Sequence, residues 1–188
     1  MRRALAGLAA VLLVAVAVVA HLTTPTREEL VAPIATAASE GEWGEGRAFA
    51  ARLDEVTLTA EPTDGDWVGT TDGVWVVATL TAVAKLDPGP VTGSLFLGED
   101  RYDASGRAGS SSLDAATLSP GLPEVGDLLF EVPADALAAH GAEARLWLGR
   151  GIVPRLDSVV EIDLDLGGLE PEPAYELTRV ERVERVER

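Results

Sequence analysis

The stretch Gly73-Val-Trp-Val-Val-Ala-Thr-Leu-Thr-Ala-Val-Ala84 constrains the fold more than any other part of this chain. It carries no charge and is rich in Val, Thr and Trp, residues that fit a pleated, half-buried surface better than a helix. Val74, Val76, Ala78, Leu80 and Ala82 fall on one face of an extended strand. Trp75, Val77, Thr79, Thr81 and Val83 fall on the other, which the two threonines make mixed. The spacing predicts a central strand whose apolar face needs a second sheet to cover it.

The flanking sequence supplies the rest of a sandwich. Phe49, Ala51 and Leu53 alternate, and Val56 and Leu58 resume out of phase after Asp54-Glu55, as in a strand with a bulge or two short strands. Glu61-Pro-Thr-Asp-Gly-Asp66 and Thr71-Asp72-Gly73 are turn clusters, and Leu86-Asp-Pro-Gly-Pro90 stops the central strand. Leu95-Phe96-Leu97 belongs to a short strand, followed by the segment of Tyr102 and a small-residue loop, Ala104 to Ser112. Val125 to Val132 is strand-like, with Leu128, Phe130 and Val132 on one face. Pro133 to His140 closes a helical turn or two, with Gly141 as its stop. Ala144, Leu146 and Leu148 alternate with Arg145 and Trp147. Val160, Ile162, Leu164 and Leu166 alternate with Glu161, Asp163 and Asp165. About seven short strands separated by turns predict an all-β, antiparallel β-sandwich over residues 47–166.

Three segments carry a further likeness: Gly73-Val-Trp-Val-Val-Ala-Thr-Leu-Thr-Ala, Tyr102-Asp-Ala-Ser-Gly106, and Leu118-Ser-Pro-Gly121 with Gly126-Asp-Leu-Leu-Phe-Glu-Val-Pro133. Their order resembles a family of immunoglobulin-fold domains found in secreted and membrane-anchored bacterial proteins, described as telomeric-repeat-binding-factor-like. Two features depart from that family: Ala84-Lys85 stands where an asparagine is common, and a lipoprotein cysteine is missing. The resemblance implies an extracytoplasmic immunoglobulin-like sandwich and implies no chemistry.

Outside the sandwich, Arg2-Arg3 precede Ala4 to Ala20, a run of Ala, Leu, Val and Gly. Such a run spans roughly 26 Å as a helix, close to the thickness of a bilayer core. The expectation is a signal-anchor helix over 1–22, with the N-terminus in the cytoplasm and the body outside, single-pass in the cell membrane. Val18-x-Ala20 has the small residues of a cleavage site, so release by signal-peptide cleavage is the alternative. Residues 23–46, with Pro25, Pro33 and a Gly/Glu run, predict a flexible linker, in which Trp43 is the odd residue. Residues 167–188, ending in Val180-Glu-Arg, Val183-Glu-Arg and Val186-Glu-Arg188, predict a low-complexity charged tail.

Charge and side-chain inventory narrow the function. The net charge is −16, and setting aside Arg2 and Arg3 leaves −18 on the remainder, which disfavours nucleic acid. Without cysteine there is neither a disulfide nor a thiolate nucleophile. A hydrolytic pair would need His21 or His140 beside a serine, but Ser110-Ser-Ser112 lacks the glycine frame of a nucleophile elbow. Asp64 with Asp66, or Glu99 with Asp100 and Asp103, could offer oxygens to calcium, yet neither has the spacing of a calcium loop. Glu161, Asp163 and Asp165 share a solvent face, and Trp67, Trp75 and Trp147 could line a sugar-binding face or pack as core and rim. No catalytic, cofactor or metal site is assigned. The expectation is a non-enzymatic binding or accessory module for an envelope protein complex. The alternative is a released carbohydrate-binding or metal-dependent envelope protein.

Overall fold

The structure, a computed structural model, describes residues 14, 18, 32–151 and 157–183. The chain divides into two compact units, Met1–Ala32 and Pro33–Arg188. The expected membrane segment at 1–22 lies outside the described residues apart from Val14 and Val18. Among the described residues no helix is long and apolar enough to cross a membrane.

The described residues of the second unit are mostly β, built as two five-stranded sheets. In chain order the strands are β1 (Ile34–Ala38), β2 (Trp43–Glu45), β3 (Phe49–Thr59), β4 (Pro62–Thr63), β5 (Val74–Ala84), β6 (Thr92–Leu97) and β7 (Asp100–Asp103). Then follow β8 (Glu124–Val132), the helix α1 (Ala134–His140), β9 (Ala144–Gly149), β10 (Ser158–Leu164), β11 (Tyr175–Glu176) and β12 (Glu181–Arg182). One sheet has the order β1-β10-β9-β6-β7, the other β12-β8-β5-β3-β2, and β11 pairs with β4 apart from both.

The central strand sits where its sequence placed it. β5 pairs antiparallel with β3 on one side and β8 on the other. Val76, Ala78, Leu80 and Ala82 join Phe49, Leu53, Leu58, Leu128 and Phe130 in the core between the sheets. Leu95, Leu146, Leu148, Val160, Ile162 and Leu164 face them from the opposing sheet. The phase break in β3 is a bulge between Leu53 and Glu55. The extra residue turns Asp54 towards its neighbours: Arg52 Nε donates to Oδ1 at 2.5 Å and Thr81 Oγ1 to Oδ2 at 2.6 Å. That bond satisfies a buried hydroxyl on the far side of the central strand. A two-residue turn with Gly98 at φ 62° joins β6 to β7, a backbone conformation that glycine adopts without strain.

Three expectations are corrected. The sandwich starts at Ile34, not Arg47, and residues 34–45 of the expected linker form β1 and β2. Trp43 docks under the Arg52 guanidinium, 5.5 Å from the ring centre. Gly44 allows the close approach: a Cβ there would come within 2.1 Å of Val160 Cγ1, across the sandwich. The pairing is not wholly antiparallel, because β1 runs parallel to β10 and β11 parallel to β4. The expected tail, as far as Val183, folds back on the sheet: Leu177 is buried, Val180 packs against the core, and β12 pairs with Val125 and Glu124 of β8. The helix α1 does end at His140, with Gly141 as its cap; the cap has φ −62° and leads into a 3-10 turn over Gly141–Glu143.

The fold-back explains how both faces of β5 are buried. Trp75 and Val77 form a second apolar cluster with Leu129, Ala108 and Leu177, with Trp67 and Tyr175 at its edge. A 3-10 turn over Gly106–Ser111 and the strap from Glu172 to Val183 lie over this outer face. The opposite sheet has no such cover among the described residues. Its outward side chains Phe96, Arg145, Trp147 and Glu161 stay partly exposed, and the paired Arg101 and Asp103 are exposed.

Candidate functional site

The polar groups singled out in the sequence do not converge. His21 lies outside the described residues. His140 ends α1, exposed, with its ring against the Gly98 turn. The serines lie elsewhere: Ser111 Oγ donates to Asp64 Oδ2 at 2.5 Å, and buried Ser112 Oγ donates to the Asp127 carbonyl at 3.1 Å. The first joins two loops, and the second holds its loop to β8.

The acidic candidates are dispersed as well. Asp64 Oδ1 accepts the Asp66 N–H at 3.0 Å and the Trp67 N–H at 2.7 Å, which closes the turn that brings Val68 back to Thr63. The Ser111 hydroxyl, followed by the Trp67 N–H, holds this carboxyl below its ordinary value of 3.8. Asp103 accepts from Ser94 Oγ at 2.8 Å and Arg101 Nε at 2.7 Å, while Glu99 and Asp100 stand exposed in the hairpin. Asp165 accepts the Gly167 N–H at 3.0 Å, and Asp163 stays exposed. Among the described residues no three His, Cys, Asp or Glu side chains gather to hold a metal ion.

The tryptophans split between opposite outer faces. Trp75 is buried, edge-on to Trp67 at 6.2 Å, with the Arg107 guanidinium 5.2 Å from its ring centre. Trp147 lies on the uncovered sheet, 4.9 Å from Phe96 at a 57° tilt, with Arg145 over the Phe96 ring at 5.5 Å. Its Nε1 donates to Glu161 Oε2, which also faces Arg145 Nη1 at 3.8 Å. A three-tryptophan sugar face is therefore not formed; the aromatic surface of the open sheet is Phe96 with Trp147.

The sequence reading passed over Asp127. This carboxylate is fully buried on the outer face of β8. Thr79 Oγ1 donates to Oδ1 at 2.7 Å, and the Thr178 N–H of the strap donates to Oδ2 at 2.6 Å. The Tyr175 hydroxyl lies 3.3 Å from Thr79 Oγ1 and extends the network. Burial pushes the carboxyl above its ordinary value of 3.8, and the charge of Glu55 adds to this, against the bonds from Thr79 and Thr178. The signal was present as the one acid inside the run Val125 to Phe130, between Glu124 and Glu131 towards the strand ends. Its role is to tie the strap to the sheet.

An open groove of about 630 Å³ lies between the turn at Thr71–Gly73 and the start of α1, lined by Asp72, Tyr102, Glu131 and Asp135. Partial burial, then Asp100 and Asp135, raises the Tyr102 phenol above 10.0, so it stays a neutral donor at pH 7. Glu131 is already engaged by Arg107 Nη1 at 3.0 Å. The groove presents negative charge and has no nucleophile–base pair.

No protein-family model and no curated protein matches the chain. Among solved structures it is similar to an uncharacterized beta-sandwich protein from Clostridium difficile 630. The identity is 8%, the TM-score 0.49, and the match covers 74% of this chain and 99% of that chain. The sandwich assignment rests on the two sheets themselves.

Proposed function

We propose that the chain is an immunoglobulin-like module, held outside the cell membrane by its N-terminal segment, that binds another envelope protein without catalysing a reaction. The unequal covering of the two sheets carries this reading. The β8-β5-β3 face is closed by the chain's own strap, whereas among the described residues the sheet ending in β1 keeps an open face and an open edge. A surface that is folded but uncovered is what a presenting module needs. The immunoglobulin-like assignment is supported by the parallel pairing of the first strand with β10 and by the crossings between the sheets from β5 to β6, β7 to β8 and β8 to β9. The anchor is supported by Arg2-Arg3 ahead of the uncharged run to Ala20.

A second reading is favoured by the Phe96–Trp147 pair: the same open face would take a glycan, with the rings as platform and Arg145 and Glu161 as polar edges. In-cell photo-crosslinking from position 96 separates the two. One stoichiometric membrane protein supports the module. Saturable binding of a purified envelope glycan, lost in Trp147→Ala, with no protein captured, replaces it with the glycan reading. Protection of residues 47–166 from protease added to intact cells would refute the outside placement.

A further inference from the structure

The two five-stranded sheets have four edges, and three are blunted. β7 reads Asp-Arg-Tyr-Asp, with charges at three of four positions. β12 is only Glu181–Arg182. β2 has three residues, Trp43 lies under Arg52, and Glu45 Oε2 pairs with Lys85 Nζ at 2.6 Å. Charges and short strands of this kind keep foreign strands off an edge. β1 has neither device. It reads Ile-Ala-Thr-Ala-Ala, without charge or proline, and its first four residues are exposed. Ile34 keeps 71% of its surface.

The backbone of β1 is set to receive a strand. Its parallel register pairs Ile34 with Ser158 and Thr36 with Val160, and the Ile34 N–H bonds the Asp157 carbonyl at 2.9 Å. Alternation then turns the N–H and C=O of Ile34, Thr36 and Ala38 towards β10 and those of Ala35 and Ala37 away from it. Ala35 and Ala37 are small enough to admit a neighbour at strand spacing. Just past the strand, Glu40 and Glu42 are exposed.

We propose that β1 is a strand-addition site for an extended, uncharged segment of a partner protein that carries basic residues at the end abreast of Glu40 and Glu42. This deepens the module reading and rests on it. A second copy of this chain fits less well. Its own β1 would bring no cation to Glu40 and Glu42, and two bodies of net charge −16 repel each other.

The test uses the full chain in detergent micelles and three labelled synthetic peptides, followed by fluorescence anisotropy. One alternates Thr and Val and ends in two lysines, its twin ends in two glutamates, and the third carries the two lysines on a Gly-Ser backbone. The Thr/Val-lysine peptide is expected to bind, with each of the others about ten-fold weaker or worse. Glu40→Lys with Glu42→Lys should reverse the order of the first two. Ala37→Pro removes an outward N–H while sparing the bonds to β10, and Ala37→Lys places a charge on the edge; each should abolish binding. Equal binding of the Gly-Ser peptide, or binding indifferent to both Ala37 substitutions, overturns the proposal. Concentration-dependent dimerisation lost in Ala37→Lys, with no peptide bound, overturns it in favour of a second copy. If position 96 captures a protein in cells while the peptides fail here, the module reading stands and the edge proposal alone falls.

Discussion

Asp127 is the most informative position to perturb, because replacing it by alanine and by asparagine should have unequal costs. In Asp127→Ala the Thr178 N–H loses its acceptor, and Thr79 keeps only Tyr175 as a partner. A buried donor left unmet costs about 1–3 kcal/mol, and the void left by the carboxyl adds to it, so a loss of about 2–4 kcal/mol is expected. In Asp127→Asn the amide oxygen still accepts from Thr178, and Thr79 can accept from the amide while donating to Tyr175. The buried charge is gone, so the variant should lie within about 1 kcal/mol of the parent at pH 7, or above it. The pH dependence follows from the raised carboxyl. The folded state holds the Asp127 proton more tightly than the unfolded chain, whose value is near 3.8. Stability from this group is therefore fully present below 3.8 and is lost as pH rises through the higher folded value. The parent should gain on Asp127→Asn as pH is lowered from 7 towards 4, since all other groups cancel in the difference. Urea unfolding followed by tryptophan fluorescence at several pH values measures this. Equal losses in Ala and Asn at pH 7, with a difference independent of pH, would show that the buried charge is not what sets the cost.

Other substitutions test separate parts of the fold. Phe130→Ala should lose about 3–5 kcal/mol in the same assay, as the ring lies fully buried between the sheets. Gly44→Ala should lose about 1–3 kcal/mol by driving a methyl into Val160; a neutral result would mean that β2 does not pack on β10. Truncation after Gly168 should uncover Trp75, Val77 and Leu129, raise binding of an apolar dye and speed amide exchange in β5 and β8; unchanged exchange would remove the strap from the fold. The Asp64 carboxyl should titrate below 3.8 by NMR and shift upward in Ser111→Ala, because its stabilising bonds are present above the unfolded value and are lost as pH falls through the folded one.

What the sequence by itself determined is the interior. Strands with one face in the core leave a two-residue period, so β5, β8, β9 and β10 could be read directly. A bulge leaves a phase shift, so Asp54-Glu55 in β3 could be read as well. The tertiary structure decided what is added at the margins. β1 buries almost nothing and β2 is three residues long, so neither carries a period that separates it from a Gly/Glu linker. The strap looked like a solvated tail because its partners are remote: Thr178 meets a carboxylate 51 residues away, and Glu172 bonds back to Leu58 and Thr59. Asp127 took its character from that contact, since an acid on the outer side of a strand is solvated until another segment lies over it. Local pattern records whether a residue faces an apolar interior. Edge pairing and fold-back depend on backbone groups and distant partners, and those leave little trace in the order of side chains.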